Sequence, residues 1–281
     1  MVSKPGFDAN LLAGHESGSV TAAYRELLDD PDAPLTNRAI AGNLYHPGSV
    51  FKLVVAAAAL ESGRYSPSTT FENLDSYRLP GTTAFIQNSN DSTCGDGTLV
   101  TLENALIRSC NIPFAMLAVD LGQDRIRAQA ELMGYGDELA IPLTVTPSVY
   151  PQEMELSEVA LSGFGQFDVR STPLQIAMST AAIANQGVLM KPQLVDQVVA
   201  SNLNILSQPQ PQVLSSPISR ETAALLTRMM VDSVEFGAAS NAGISQIAVA
   251  GKTGTAENGT GEPFTLWFTG FAPAGSPEIV V

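Results

Sequence analysis

The sequence predicts an α+β fold in which an antiparallel sheet is flanked by helices, with an all-α insertion between parts of the sheet. Apolar helical patterns occupy most of the middle of the 281-residue chain. Strand patterns rich in β-branched and aromatic residues lie late in the chain, at 247–251, at 264–271 and from 279 onward. Helices and strands that segregate along a chain, rather than alternating, favour α+β over α/β architecture.

The predicted helices each carry a boundary signal. The first, at 50–62, is apolar around nearly its whole circumference, which predicts a central, buried position. Thr101 is the expected N-cap of the second helix, and Pro113 and Gly122 are expected to begin and end the third. The full set covers 50–62, 102–108, 113–121, 174–185 and 221–236. Polar segments predict loops with short strands at 66–100 and a surface loop at 206–217.

Composition excludes several classes of function. Hydrophobic residues make up 44% of the chain and charged residues 15%, so a folded core is expected. The 28 acidic and 14 basic residues give a net charge of −14, which excludes nucleic acid and anionic membrane surfaces as partners. Two cysteines and two histidines without metal-ligand spacing predict neither a metal nor another cofactor.

The first candidate for chemistry is Ser49 followed by Lys52. Ser49 lies where the first predicted helix begins, and Lys52 follows three residues later on the same helical face. An apolar helix would desolvate Lys52, lower its pKa and let it accept a proton from a serine hydroxyl. A helix cap beside a lysine that reaches solvent explains the same residues equally well.

The second candidate is the triplet that begins at Ser109 and ends at Asn111. It occupies the tight connection between two predicted helices, where a hydroxyl and an amide can project into a cleft. Ser109 is a candidate proton relay, and Asn111 a candidate ligand for a substrate amide. Ordinary helix capping is the simpler explanation for this triplet taken alone.

The third candidate is the segment from Lys252 to Thr255, placed at the end of a predicted strand. Lys252 offers a cation for a carboxylate, and Thr253 and Thr255 offer hydroxyl and backbone N–H groups. Gly254 lacks a Cβ, so another backbone can approach closely. An edge strand at this point can bind an extended peptide. A hairpin or bulge accounts for the triplet alone.

Taken together, the three motifs S-x-x-K, S-x-N and K-T-G resemble the penicillin-binding and serine β-lactamase superfamily. The chain is most similar to class B penicillin-binding proteins, in particular the actinobacterial penicillin-binding protein A type. The resemblance implies a serine β-lactamase/transpeptidase-like fold over residues 1–281. The further similar segments are 2–12, 161–166, 171–175, 184–187 and 267–273.

The resemblance also implies the function and the role of each site residue. The expected reaction is D,D-transpeptidation of peptidoglycan stem peptides through an acyl-enzyme on Ser49, the same residue that β-lactams acylate. Lys52 is the expected base and Ser109 the expected proton shuttle, assisted by Lys252, while Asn111 holds the substrate amide. The K-T-G segment binds the terminal carboxylate. Backbone N–H groups of Ser49 and Thr255 form the oxyanion hole.

Features of the whole family add expectations about location and partners. The family carries an N-terminal membrane anchor and a pedestal domain, so this chain is expected to be a fragment that lacks these and its final strands. The expected location is the outer face of the cytoplasmic membrane. Cell-wall synthesis or division proteins are expected partners, with roles in cell division or cell shape.

Three alternatives share part of the pattern. A class D β-lactamase or β-lactam sensor domain typically has Val at the position of Asn111, which argues against both. A D,D-carboxypeptidase would use water as acceptor in place of an amine, and the motif residues do not separate the two. A non-catalytic scaffold is disfavoured because the nucleophile and base are both intact.

A disulfide between Cys94 and Cys110 is expected from the extracellular setting that the resemblance implies. The chain contains no third cysteine. A helix of about seven residues spans only about 10 Å, so the loop carrying Cys94 can fold back to Cys110. Two free cysteines remain the alternative.

Overall fold

The computed structural model describes residues 2–89 and 92–281 of the chain. Within them lie eight α-helices and thirteen strands, most of the strands only two or three residues long. The helices are α1 (Ser17–Asp29), α2 (Lys52–Glu61), α3 (Leu102–Ile107), α4 (Ile112–Leu121), α5 (Gln123–Leu132), α6 (Leu156–Ser162), α7 (Pro173–Ala184) and α8 (Arg220–Phe236). The strands are β1 (Thr70–Glu72), β2 (Ser76–Arg78), β3 (Phe85–Gln87), β4 (Leu99–Thr101), β5 (Ala140–Ile141), β6 (Leu143–Thr144), β7 (Leu189–Met190), β8 (Val198–Val199), β9 (Ile205–Ser207), β10 (Val213–Ser215), β11 (Ala250–Ala256), β12 (Thr265–Ala272) and β13 (Ile279–Val280).

Helix α2 forms the centre of the molecule, as its apolar circumference predicts. Every residue from Lys52 to Ala59 is buried. The helix contacts α3, α4, α5 and α8, so neighbours cover it on several sides. A 3-10 turn, Gly48–Phe51, leads into it and contacts β11 and β12. The beginning of α2 is therefore held against the sheet.

The main sheet is antiparallel, with strand order β11-β12-β13. Lys252 lies opposite Thr269, and Gly254 lies opposite Trp267. Helix α8 packs on β11, and α7 packs on β12 and β13. Among the described residues β11 pairs with β12 alone, so one edge of the strand that carries the K-T-G triplet has no strand partner.

The predicted strand at 247–251 is misplaced. Strand β11 runs from Ala250 to Ala256, so the K-T-G triplet lies inside a regular strand and not at its end or in a hairpin. Ile247 makes only an isolated bridge with Ile244. Glycine has a low intrinsic strand propensity, but packing against the neighbouring strand outweighs that propensity at Gly251 and Gly254. A Cβ built on Gly251 would lie 2.8 Å from the Phe268 ring, which shows how closely β12 covers this strand.

The predicted helices agree with the structure to within a few residues. Thr101 caps α3 by accepting a hydrogen bond from the Asn104 N–H at 3.1 Å, and Gly122 follows the last residue of α4. Helices α1, α5 and α6 were not predicted from the sequence. Helix α5 is mostly polar, whereas α1 carries apolar residues at helical spacing (Val20, Tyr24, Leu27 and Leu28) that its sequence could have revealed.

The polar segments form loops with short strands. Residues 66–100 contain two antiparallel pairs, β1 with β4 and β2 with β3, as predicted. The surface loop predicted at 206–217 instead overlaps β9 and contains β10, and it is irregular only at 208–212 and 216–217. In the described part of the chain, no helix combines the length and apolar character needed to cross a membrane.

Candidate active site

Ser49 lies at the point where the beginning of α2 meets strand β11. Gly48 has φ 54°, and a Cβ built on it would lie 2.6 Å from the Thr255 carbonyl oxygen. A Cβ built on Gly254 would lie 3.1 Å from the Pro47 carbonyl oxygen. The close backbone approach predicted at Gly254 is therefore confirmed. It places Ser49, 6% exposed, beside the K-T-G strand.

Lys52 is fully buried, and the position of its Nζ is defined by two acceptors. Nζ donates to the Ser109 carbonyl oxygen at 2.7 Å and to Asn111 Oδ1 at 2.8 Å. Burial holds the pKa of Lys52 well below 10.5, and the nearby charge of Lys252 lowers it further. A neutral amine has two N–H bonds and one lone pair. The two hydrogen bonds use both N–H groups and leave the lone pair available to accept a proton.

Ser109 has a backbone conformation that is uncommon for a residue with a side chain. Its φ is 62°, in the left-handed region. The Ser109 N–H donates to the Leu106 carbonyl at 3.1 Å, and the Cys110 N–H donates to the Ala105 carbonyl at 2.9 Å. These two bonds form a Schellman motif that ends α3, and Ser109 occupies the position where glycine is usual. This turn aims the hydroxyl away from its own helix.

Lys252 approaches Ser109 from the sheet. Its side chain is fully buried, and Nζ donates to Ser109 Oγ at 2.6 Å and to the Thr253 carbonyl at 2.9 Å. Burial lowers the pKa of Lys252 to about 7. Ser109 therefore accepts hydrogen bonds from both buried lysines, through its carbonyl from Lys52 and through its hydroxyl from Lys252. The structure brings the residues of all three motifs together.

Asn111 is held by a residue that the sequence analysis did not select. Asn88 Oδ1 accepts from the Asn111 N–H at 2.9 Å and from the Ile112 N–H at 3.1 Å. Asn111 Nδ2 also donates to the Gln87 carbonyl at 3.1 Å. No local signal marks Asn88, because it acts on a turn that lies 23 residues later in the chain. It satisfies N–H groups at the beginning of α4, which have no partner within the helix.

The disulfide between Cys94 and Cys110 is present in the structure. It joins the polar loop to the middle residue of the S-x-N triplet. Asn73 secures the same loop, because its Oδ1 accepts from the Cys94 N–H at 2.6 Å and its Nδ2 donates to the Gly95 carbonyl at 3.0 Å. The turn that carries Ser109 and Asn111 is thus attached covalently to a second, hydrogen-bonded segment.

Comparison with known proteins agrees with this arrangement of motifs. A family model described as the penicillin binding protein transpeptidase domain matches residues 1–281. The chain belongs to the penicillin-binding protein transpeptidase family. The resemblance to class B members and the predicted serine β-lactamase/transpeptidase-like fold are both confirmed.

The relatives of this penicillin-binding transpeptidase domain include proteins of known structure. The chain is 38% identical to the peptidoglycan D,D-transpeptidase PbpA of Mycolicibacterium smegmatis, across the whole chain and 57% of that protein. It matches the imipenem acyl-enzyme complex of penicillin-binding protein A from M. tuberculosis with a TM-score of 0.94 and 36% identity, over 99% of this chain and 63% of that one. A D,D-transpeptidase domain from Eggerthella lenta matches with a TM-score of 0.88 and 32% identity, over 100% and 68%.

Two further contacts hold the penicillin-binding domain's Ser49 segment and were not predicted as site features. The Gly48 N–H donates to the Gly165 carbonyl at 3.0 Å. Gly165 has φ 75°, and a Cβ built on it would lie 2.2 Å from the Gly48 carbonyl oxygen. Trp267 Nε1 donates to the His46 carbonyl at 2.9 Å. Gly165 and Trp267 lie in segments that resemble the family, but no local sequence signal shows which residues they contact.

Proposed function

We propose that this domain is a serine-type peptidoglycan D,D-transpeptidase that forms an acyl-enzyme on Ser49. The observation that carries the proposal is the convergence of two buried lysines on Ser109, next to the serine at the beginning of α2. Family membership and the name of the 38% identical relative support it. The β-lactam acyl-enzyme structures of penicillin-binding protein A support β-lactams as ligands of the same serine.

In the proposed acylation step, Ser49 Oγ forms a bond to the carbonyl carbon of the penultimate D-Ala. Its proton passes to the lone pair of neutral Lys52. The negative charge that develops on the carbonyl oxygen is stabilised by the backbone N–H groups of Ser49 and Thr255. The contact between Gly48 and Thr255 supports this oxyanion hole, because it holds the two backbone segments side by side.

The tetrahedral intermediate then breaks the C–N bond to the terminal D-Ala. Ser109 donates its hydroxyl proton to the departing nitrogen, and protonated Lys52 replaces the proton that Ser109 has lost. The net result is that the proton lost by Ser49 ends on the D-Ala amine. In the second half-reaction an amine of another stem peptide attacks the ester carbonyl. The amine loses its proton through the same groups, and Ser49 regains one as the cross-link forms.

Strand β11 is the proposed binding site for the end of the donor peptide. Its unpaired edge can hydrogen-bond an extended peptide backbone. Lys252, Thr253 and Thr255 bind the terminal carboxylate, and Gly254 keeps the strand close to the Ser49 segment. Asn111 binds an amide of the peptide, an assignment that fits its position between Lys52 and the Gln87 carbonyl.

The proposed setting is the outer face of the cytoplasmic membrane, within a cell-wall synthesis assembly. A disulfide-bonded site fits an oxidising compartment. The chain also matches, at 27% identity and with a TM-score of 0.81, a solved structure of a peptidoglycan synthase complex that coordinates polymerization and crosslinking. That match supports other cell-wall synthesis proteins as partners.

Mass spectrometry after incubation with penicillin G tests the proposal directly. We expect a covalent adduct on Ser49, no adduct in Ser49→Ala, and acylation slowed about 10²–10⁴-fold in Lys52→Ala, the usual effect of losing a general base. Lys4→Ala, at an exposed lysine, is the matched control. Labelling of Ser49→Ala at the wild-type rate would contradict the assignment of the nucleophile.

A further inference from the structure

A cavity with a volume of about 350 Å³ lies against the S-x-N turn. It is bounded by Ser109 itself, so it adjoins the candidate active site. Besides Ser109, its lining combines one guanidinium, an amide, two further hydroxyls and an aromatic ring. These side chains, which define the Arg108 pocket, belong to Asn88, Ser89, Thr93, Arg108 and Phe236.

The guanidinium of Arg108 lines this pocket, and Arg108 as a whole is exposed to solvent. Arg108 directly precedes Ser109, so their Cα atoms are about 3.8 Å apart. A Cβ built on Gly95 would lie 3.2 Å from the Arg108 Cζ and Nε atoms, which shows that the guanidinium packs on the disulfide-bearing loop. The four ion pairs found within residues 2–89 and 92–281 all involve other arginines.

The wall of the pocket formed by residues 236–238 is attached to the end of α3. The Ala238 N–H donates to the Ile107 carbonyl at 3.0 Å, and a Cβ built on Gly237 would lie 2.4 Å from that oxygen. Phe236, which precedes this contact, leaves 67% of its surface exposed. The pocket is therefore built by three segments, two of which are fixed to the end of α3.

We propose that the Arg108 pocket binds a side-chain carboxylate of a stem peptide, distinct from the terminal carboxylate assigned to Lys252. The proposal rests on the transpeptidase function proposed above. In a chain of net charge −14, an anionic peptide needs a local cation, and a guanidinium can bind a carboxylate with two parallel hydrogen bonds. The pocket is bounded by Ser109, whose hydroxyl accepts a hydrogen bond from Lys252, so a peptide bound along strand β11 passes close to its mouth.

The donor peptide is tested with a pair of synthetic substrates that differ in one group. The pair is acetyl-Glu-Lys-D-Ala-D-Ala and acetyl-Gln-Lys-D-Ala-D-Ala, both acetylated on the lysine side chain, and the measurement is kcat/KM for release of D-Ala. The acceptor is tested with diacetyl-Lys-D-Ala-D-Ala as a fixed donor. Acceptors with Glu or Gln beside a free lysine amine then compete with water for the acyl-enzyme.

We expect a preference of about tenfold for the Glu member in one of the two arms, which identifies the peptide that carries the carboxylate. Arg108→Gln should abolish the preference and Arg108→Glu should reverse it. Arg125→Gln, which removes an equal charge from the exposed face of α5, should keep it. The Gln peptide is the internal reference, because a folding defect lowers both members equally.

Two results overturn the proposal in different ways. If wild-type protein turns over both peptides without preference in either arm, or if the preference survives in Arg108→Gln, the pocket does not bind the carboxylate and the transpeptidase function stands. If wild-type protein neither releases D-Ala nor forms an adduct with penicillin G, the transpeptidase function fails and the pocket proposal fails with it.

Discussion

The hydroxyl of Ser109 accepts a 2.6 Å hydrogen bond from Lys252 Nζ while the Ser109 backbone remains in the left-handed region, at φ 62°. That conformation costs an L-residue about 1–2 kcal/mol, whereas glycine adopts it freely. Glycine would end α3 better, but it has no hydroxyl to place beside Lys252. The S-x-N turn is thus less stable than it would be with glycine at this position, but it places the Ser109 hydroxyl beside Lys252.

Substitutions of Ser109 separate the cost of its backbone conformation from the role of its hydroxyl. We expect Ser109→Gly to be about 1 kcal/mol more stable than Ser109→Ala, because both lack the hydroxyl and only alanine keeps the backbone strain. Both variants should acylate about 10²-fold more slowly than wild type, since a positioned proton relay is lost. Urea unfolding and penicillin G labelling measure the two quantities. Near-wild-type labelling in either variant would exclude the relay role.

Acylation should depend on pH through the two buried lysines. Lys52 must be neutral and Lys252 must be charged to bind a carboxylate, and burial lowers the pKa of Lys252 to about 7. The second-order acylation rate, which reports the free enzyme, should therefore fall as pH rises above about 7. With Lys252→Ala this basic limb should disappear. A wild-type profile that stays flat from pH 6 to 9 would rule out a charged Lys252 as the carboxylate ligand.

The same burial should make stability rise with pH. The pKa of Lys252 falls from 10.5 in the unfolded chain to about 7 in the fold, so between these values the unfolded state binds more protons. The free energy of unfolding then increases with pH, by up to about 1.4 kcal/mol per pH unit for one group. Urea unfolding from pH 7.5 to 9.5 should show a smaller slope for Lys252→Met. Equal slopes would mean that Lys252 keeps its ordinary pKa.

Gly165 should be essential for the position of Ser49. In Gly165→Ala the new Cβ would meet the Gly48 carbonyl oxygen at 2.2 Å, so the backbone next to Ser49 has to move. We expect destabilisation of several kcal/mol, about 3 or more, and at least tenfold slower acylation. Gly81→Ala is the matched control, because Gly81 has φ 73° but no atom within 4 Å of its Cβ position. If both variants behave alike, backbone conformation alone explains the loss.

The disulfide should stabilise both the domain and its S-x-N turn. Cys94 and Cys110 are separated by 16 positions, and closing a loop of that length contributes about 3 kcal/mol in the chain-entropy model. We expect the double variant Cys94→Ala, Cys110→Ala to lose about that much stability and to acylate more slowly. Dithiothreitol should slow the wild type and leave the double variant unchanged. Two free thiols in the denatured, unreduced protein would show that the bridge is absent.

The chemical groups of the site and much of the local structure were predictable from the amino-acid sequence. Ser49 and Lys52 share one helical face because three residues span almost one turn, and the apolar circumference of α2 predicted that this helix is buried. Whether Lys52 is buried with it or reaches solvent was left open by the sequence, and the structure shows that it is buried. Thr101 predicted where α3 begins and Gly122 predicted where α4 ends, because caps act on backbone groups within one helical turn. Each of these features depends on residues that are at most a few positions apart.

Which of these groups meet depends on the packing of the whole domain. Lys52 reaches Ser109 across 57 positions, and Lys252 reaches the same residue across 143. The left-handed backbone of Ser109, the support from Asn88 and the contact of Gly165 with Gly48 were equally invisible in the sequence. Periodicity and capping signals report interactions within a few residues along the chain. Distances between distant segments are set by how complete helices and strands pack, so the geometry of the site became defined only when the whole domain was folded.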